Sequence, residues 1–209
     1  MSGSTQRPDI KHLSSILIVA GLFGGLSAAQ TASSSPEQDL GAFFQRFKSV
    51  AGQTFYLDLD SPPGVFSQWR HDDLVSLDGL QATLTVPRLR KDSKWRPTFT
   101  IALTNSEKLG TDDVGLQLYA EDVRRPLKIR IVGNVAGAPM SEIPFRTVLK
   151  ANEKLKVEIS WAVPNLVIIR VGESESRSLS VAWRVNNVSI LGSTGQVKID
   201  PLVFGSFTR

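Results

Sequence analysis

Residues 154–187 constrain the fold of this chain more than any other stretch, because they form three apolar runs separated by turn-forming residues. In the first run apolar and polar side chains alternate, as on a β-strand with one buried face. The apolar positions of that run are Leu155, Val157, Ile159 and Trp161. The second run, 166–171, is almost continuously apolar, which predicts a strand covered on both faces. The third carries apolar side chains at 179, 181 and 183. Together the runs predict part of a β-sandwich.

Short strands are predicted from Thr54 to the end of the chain. Runs rich in β-branched and aromatic residues alternate there with turn-forming residues, which is typical of two packed antiparallel sheets. The twelve predicted strands are Thr54–Leu59, Leu74–Leu77, Gln81–Val86, Thr98–Thr104, Gly115–Tyr119, Leu127–Val132, Pro144–Leu149, Lys154–Ala162, Leu166–Val171, Ser178–Val185, Val188–Leu191 and Gln196–Val203. The sequence GSTG at 192–195 is predicted to form a hairpin turn between the last two.

Residues 1–29 have the features of a signal peptide. Arg7 and Lys11 precede an apolar run over 13–26, and small residues at 27–29 suit cleavage. We therefore expect a periplasmic or secreted protein. The alternative is an uncleaved membrane anchor through residues 13–29, because that stretch approaches the roughly 20 residues that span a bilayer.

Residues 30–53 are predicted to hold a linker and a short amphipathic helix that starts at Pro36, with Ser35 as its N-cap. Apolar residues recur at helical spacing at Leu40, Phe43, Phe44, Phe47 and Val50. We expect the phenylalanines to close one end or edge of a sandwich domain over 54–209. The alternative is that Phe43, Phe44 and Phe47 dock on a protein partner or on a membrane surface.

The absence of cysteine excludes a disulfide framework and cysteine-ligated zinc. The formal net charge of +4 is spread along the chain. Its densest basic clusters are Arg88, Arg90 and Lys91, and then Arg124 and Arg125. Nucleic-acid binders carry a stronger basic stripe with interleaved aromatics, so we do not expect a nucleic-acid partner.

The order VEISW, VIIRVG and ILGSTGQVKIDPLVFG resembles the second half of a concanavalin A-like lectin and glucanase sandwich, the jelly roll that laminin G-like modules share. The resemblance extends over 54–205 as architecture, and it implies an all-β fold of two antiparallel sheets. That superfamily includes glycoside hydrolases, polysaccharide lyases and non-catalytic binding modules. The acidic signature Glu-x-Asp-x-x-Glu of its laminarinase-like members is absent, so no catalytic residue is carried over.

The segment SQWRHDD, around Trp69, concentrates an aromatic ring with hydrogen-bonding groups. An indole stacks on the apolar face of a pyranose while polar neighbours bind its hydroxyls. The predicted ligand-binding residues are Trp69, Arg70, His71, Asp72, Asp73 and Tyr119. Trp95 and Trp183 are further aromatic candidates, whereas Trp161 is assigned to the core.

Paired carboxylates are the second resource for chemistry. Asp58 and Asp60 would share one face of a strand, as a glycosidase pair or as solvated side chains. Asp112 and Asp113 could direct oxygens at Ca²⁺, the one cofactor that the sequence raises.

The sequence therefore favours an exported, non-catalytic domain that binds a glycan or another cell-envelope component. Two alternatives remain open at this stage. One is a polysaccharide-active hydrolase or lyase, and the other is a structural protein-interaction domain.

Overall fold

A computed structural model of the protein describes residues 43–105 and 110–207, which form eleven antiparallel strands. The strands are β1 (Phe47–His71), β2 (Gly79–Leu89), β3 (Thr98–Thr104), β4 (Asp113–Tyr119), β5 (Leu127–Val135), β6 (Ala138–Pro139), β7 (Ile143–Leu149), β8 (Lys154–Ser160), β9 (Leu166–Val171), β10 (Glu175–Ser180) and β11 (Asn187–Phe207). The prediction of an all-β fold is confirmed.

Strand β11 joins the two layers of the sandwich. Its residues 187–193 pair with β3, and its residues 195–205 pair with β2. The change of partner falls at Thr194, which has a positive φ of 57°. On its other side β11 is paired along both halves with β1. One layer therefore has the order β10-β9-β8-β2-β11-β1, and the other has β1-β11-β3-β4-β5, with β6 and β7 both paired to β5.

A single hydrophobic core fills the space between the layers. Leu80 and Val157 from the first layer belong to the same buried cluster as Leu116 and Ile129 from the second. Burying one such side chain contributes about 1.5–3 kcal/mol relative to leaving it exposed. The two layers are thus held face to face by the alternation of apolar and polar residues along their strands.

The stretch 154–187 folds as three strands, β8, β9 and β10, as predicted. The prediction that 166–171 is covered on both faces is confirmed. Val167 and Ile169 are buried in the main core, and Ile168 is buried on the opposite face against Phe44 and Phe207. Side chains on both faces of β9 therefore contact apolar partners.

Three predictions of local structure are wrong. Residues 192–195 are not a hairpin turn, because β11 runs through them as one strand between the layers. Leu74–Leu77 is a turn, in which Leu77 N donates to Leu74 O over 3.0 Å. The strand predicted at Ser178–Val185 lies at Glu175–Ser180, so Trp183 belongs to the following loop. A loop whose apolar residues occur at alternate positions has the same sequence pattern as a strand, so the pattern alone does not distinguish the two.

The predicted leader over 1–29 and the start of the predicted helix lie outside the described residues. From Phe47 the chain is extended in β1. The rings of Phe43 and Phe207 stack with their centroids 4.7 Å apart, and Phe44 is 2% exposed. These phenylalanines pack against the sandwich. Within 43–105 and 110–207 no helix has the length and apolar character needed to cross a membrane.

Glu175 links the two layers at the edge where no backbone ladder joins them. Its carboxylate on β10 accepts hydrogen bonds on β7 from Arg146 N at 2.8 Å and from Thr147 N and Oγ1, each at 2.9 Å. Burial by itself raises the pKa of this carboxyl, but these bonds and the charge of Arg177 outweigh it, so the pKa is lowered. Glu175 is therefore ionised at neutral pH and bridges β10 to β7.

Gly205→Ala tests the pairing of β1 with β11. An added Cβ would lie 2.2 Å from the carbonyl oxygen of Lys48, so the strands would have to separate. We expect the free energy of unfolding, measured by denaturant titration, to fall by about 3 kcal/mol. Gly192→Ala is the control, because its nearest contact is Ser61 Oγ at 3.3 Å. Equal losses in both variants would contradict this role for Gly205.

Glu175→Gln tests the bridge between β10 and β7. At pH 7 we expect the free energy of unfolding to fall by about 1–2 kcal/mol, because Gln lacks the charge that strengthens the hydrogen bonds. A carboxyl with a lowered pKa stabilises the fold above its unfolded-state pKa of about 4.3, and this stabilisation is lost as the pH falls through the folded-state pKa. The difference between wild type and variant should therefore shrink from pH 7 to pH 3, while the exposed Glu173→Gln shows none. A difference independent of pH would exclude the ionised bridge.

Candidate functional site

Trp69 and His71 lie on the inner face of β1. The Trp69 ring is 5.2 Å from that of Phe55 and 6.5 Å from that of Phe204, and the His71 ring is 4.7 Å from that of Phe204. Trp69 is partly buried against the main core. Strand alternation explains this placement, because Phe55, Trp69 and His71 all follow the apolar positions of β1. Both rings thus support the sandwich from within.

Arg70 and Asp72 are brought together at the end of β1. Arg70 Nε donates to Asp72 Oδ1 over 2.5 Å, and the Asp72 side chain remains 64% exposed. Asp73 follows in the same exposed loop. The structure therefore separates the predicted segment into an inward aromatic pair and an outward polar loop.

Asp112 and Asp113 serve the backbone and side chains around them. Asp112 Oδ1 accepts from Ala136 N over 2.9 Å, and Asp113 accepts from Gly110 N over 2.5 Å and from Asn134 Nδ2 over 3.2 Å. Within the described ranges no three acidic or histidine side chains group as metal ligands. The two carboxylates accordingly fix the loops at the start of β4.

Tyr119 points outward from the last position of β4. The Arg130 guanidinium on β5 lies 4.1 Å from the centre of its ring. Arg130 Nε also donates to Gln117 Oε1 over 2.9 Å, and Arg130 Nη1 donates to Glu142 Oε2 over 2.5 Å. One face of the Tyr119 ring is therefore already covered by a cation that has its own partners.

Asp58 and Asp60 share the outer face of β1, as predicted, and each binds a neighbouring side chain. Asp58 Oδ1 accepts from Gln196 Nε2 over 2.7 Å, and Asp60 holds Arg90 through two oxygens. The hydrogen bond from Arg90 lowers the pKa of Asp60. A general acid needs the opposite shift, so Asp60 is poorly suited to protonate a leaving group.

A cleft opens at one end of the sandwich, between the β1–β2, β8–β9 and β10–β11 loops. It has a volume of about 730 Å³. Two indoles and several polar side chains line it, namely Trp161, Trp183, Asp72, Asn165 and Arg184. We call it the Trp161 cleft. Its size and its mixture of aromatic and polar groups are typical of small-ligand sites.

Hydrogen bonds from backbone and indole N–H groups hold the loops around the Trp161 cleft in place. Trp161 N donates to Asp78 O over 2.8 Å, and Trp161 Nε1 donates to Leu77 O over 3.0 Å. Val181 N donates to Asn165 O over 2.9 Å, where Asn165 has a φ of 60°. The cleft is thus preformed by ties between its three loops.

Trp183 differs from Trp161 in its hydrogen bonding. Its Nε1 is buried and has no hydrogen-bond partner among the described residues. An unpaired buried N–H costs about 1–3 kcal/mol. A ligand acceptor bonded to this N–H would recover that free energy.

Sequence reasoning found Asp72 and Trp183 but missed the polar residues beside them. The sequence predicts Trp161 in the core, and the ring does pack there, but it also lines the cleft. Nothing in the sequence marks Asn165 or Arg184 as site residues, because each lies in a short turn that only the fold brings beside Asp72. Positive φ at Asn165 fits its turn position.

Comparisons with known proteins show similarity in structure alone. No protein-family model and no curated protein matches the chain. The Bacteroides ovatus xyloglucan PUL GH43B matches with a TM-score of 0.51 and 10% identity, over 71% of this chain and 32% of that one, so this chain spans about a third of its length. The legume lectin-like domain from Entamoeba histolytica matches with a TM-score of 0.48 and 14% identity, over 86% and 98%. The carbohydrate binding module CBM66 from Bacillus subtilis matches with a TM-score of 0.46 and 12% identity, over 77% and 96%.

The chain has a concanavalin A-like jelly-roll fold. This confirms the resemblance inferred from the strand order in 154–205. At 10% identity the likeness concerns architecture, and the roles of residues in this jelly roll must be argued from its own side chains.

Trp161→Phe and Trp183→Phe test the difference between the two indoles. Trp161→Phe leaves the Leu77 carbonyl without its donor, whereas Trp183→Phe removes an N–H that has no acceptor. We expect Trp161→Phe to lower the free energy of unfolding by about 1–2 kcal/mol more than Trp183→Phe. Denaturant titration of both variants measures this, and the reverse order would contradict the assignment.

Proposed function

We propose that this jelly roll is a non-catalytic glycan-binding domain and that the glycan occupies the Trp161 cleft. The observation that carries the proposal is the presence of two indoles in this cleft, next to charged and amide side chains. Sugar rings present an apolar face to aromatic rings and hydroxyls to polar groups, so this combination suits them. The fold match to a protein named for xyloglucan, a polysaccharide, agrees with a glycan ligand.

The polar groups of the cleft have distinct capacities. The exposed Asp72 carboxylate retains lone pairs beyond its bond to Arg70, and Arg184 and Asn165 supply donors. These groups could orient sugar hydroxyls around a ring that rests on Trp161 or Trp183. Because the surrounding loops are already tied together, little ordering would be required on binding.

A binding role is favoured over catalysis by the state of the carboxylates. In the cleft, Asp78 accepts a hydrogen bond from Phe207 N over 2.7 Å, and Asp72 pairs with Arg70. On β1, the low pKa of Asp60 is unsuited to acid catalysis. Release of reducing sugar or unsaturated product from a polysaccharide panel would instead establish the hydrolase or lyase.

The proposal includes export, with residues 1–29 acting as a leader and the domain facing the cell envelope or the exterior. Cleavage near Ala29 would remove that segment from the mature protein. Intact mass measurement of protein recovered from the producing cell distinguishes this from an anchor through 13–29.

A glycan array followed by titration calorimetry tests the proposed site. We expect wild type to bind at least one glycan, and Trp183→Ala to weaken binding about tenfold through loss of ring contact. Asp72→Asn, at an exposed position, should weaken it without affecting the fold. Tyr56→Ala, which removes an exposed aromatic ring that does not line the Trp161 cleft, is the matched control and should bind this glycan as wild type does. Absence of any glycan ligand, or equal losses in Trp183→Ala and Tyr56→Ala, would overturn the proposal.

A further inference from the structure

Cationic side chains are concentrated at the end of the sandwich opposite the Trp161 cleft. Strand β2 starts beside that cleft at Gly79 and ends at Leu89, so the loop that follows β2 lies at the far end. The β4–β5 loop lies there too, because Ala120 N donates to Pro97 O over 3.0 Å. Segments 88–97 and 120–128 together contain eight Lys or Arg residues and three carboxylates.

Each of the three carboxylates already has a partner within the protein. Asp92 accepts from Lys94 N and Trp95 N, both at 2.8 Å. Glu121 pairs with Lys128 at 2.9 Å, and Asp122 accepts from Arg124 N over 2.9 Å. The backbone bonds lower the pKa of Asp92, and the Lys128 bond lowers that of Glu121. These acids shape the loops, and they offset only part of the positive charge.

Most of the cations form no ion pair with the described carboxylates, although the charges of Arg96 and Arg125 contribute to the lowered pKa of Glu121. Arg90 is held by Asp60, and Lys128 is held by Glu121. Within the described ranges the other six cations form no ion pair, and they are Arg88, Lys91, Lys94, Arg96, Arg124 and Arg125. Unpaired cations on adjacent loops repel one another, so an anion placed between them is attracted.

An exposed indole stands among these cations. Trp95 is 47% exposed, and it lines a cleft of about 350 Å³. The charged residues of that lining are Arg90, Lys91, Arg96 and Arg124, together with the internally bonded Asp92, Glu121 and Asp122. The backbone bonds to Asp92 fix the turn that presents it. We call this the Trp95 cleft. It offers a ring surface and guanidinium groups at the same place.

We propose that the Trp95 cleft is a second binding site, which takes an acidic polysaccharide through stacking of one sugar on Trp95 and pairing of its carboxylate or sulfate group with Arg96 and Arg124. Guanidinium groups bind such anions through charge-assisted hydrogen bonds. The site is separate from the Trp161 cleft and does not depend on a ligand there.

The surroundings favour an acidic glycan over two other polyanions. Single-stranded nucleic acid is bound by successive aromatic rings along a groove, whereas Trp95 is the single aromatic residue in the lining of this cleft. A membrane surface calls for several apolar side chains that insert beside the cations. In this cleft charged side chains of both signs surround the indole, with cations in excess, and such a lining suits a hydroxyl-rich chain that also carries acidic groups.

Binding of polygalacturonate, a polymer of uronic acid, tests the proposal, with neutral dextran as its uncharged counterpart. We expect titration calorimetry at low salt to show binding of polygalacturonate and none of dextran. Arg96→Gln with Arg124→Gln should lower the affinity about tenfold or more, and Trp95→Ala should lower it several-fold. The matched control is Lys48→Gln with Lys154→Gln, which removes two exposed charges elsewhere and should change the affinity less than about threefold.

The outcomes separate the alternatives. Equal losses in the site variant and the charge control would show binding by net charge alone and would overturn the site. Tighter binding of single-stranded DNA or of anionic phosphatidylglycerol vesicles than of polygalacturonate, sensitive to the same substitutions, would replace the acidic glycan with that partner. Unchanged circular dichroism spectra in all variants keep the comparison independent of folding. Loss of glycan binding in Trp183→Ala with retained polygalacturonate binding would confirm that the two clefts are independent.

Discussion

The pairing of β11 with three different strands is the constraint on which the rest of the structure depends. Its two halves lie in different layers, and β1 accompanies it through both. The layers are therefore connected by hydrogen bonds as well as by the apolar core between them. At the opposite edge the same task falls to one side chain, Glu175, which binds the backbone of β7. The loops that bound both clefts are positioned by the strands that the β11 pairing and the Glu175 bridge hold together.

The sequence was most informative where alternation was regular. The apolar positions of β8 and β9 identified the core and the superfamily resemblance, because burial on one or two faces leaves a direct mark on residue type. It was least informative where a chain segment changes layer. Residues 192–195 have the composition of a turn, yet they continue a strand, since glycine and small side chains also permit the close approach of neighbouring strands.

The candidate sites were predicted only in part, for a physical reason. Trp69 lies in a segment rich in polar residues, but strand alternation turns its ring inward and leaves Arg70 outward. Asp72, Trp161 and Trp183 come from three separate loops that meet only after folding. The basic clusters around Arg90 and Arg124 were visible in the sequence but 34 positions apart; their convergence beside Trp95 required the β3–β4 pairing. Local composition therefore identified some residues of the sites, and the long-range strand pairing determined which of those residues share a surface.

The adjacency of Phe47 and Phe207 has a practical consequence for how this domain can be presented. They are facing partners in the first and last positions of the β1–β11 ladder, and Phe207 N is bound by Asp78 beside the Trp161 cleft. The polypeptide thus enters and leaves the sandwich at one place. A tag attached next to Phe47 or Phe207 would direct the basic end toward solution. Joining the chain at these two positions by a short linker, with new termini opened elsewhere, would move the point of attachment away from the Trp161 cleft.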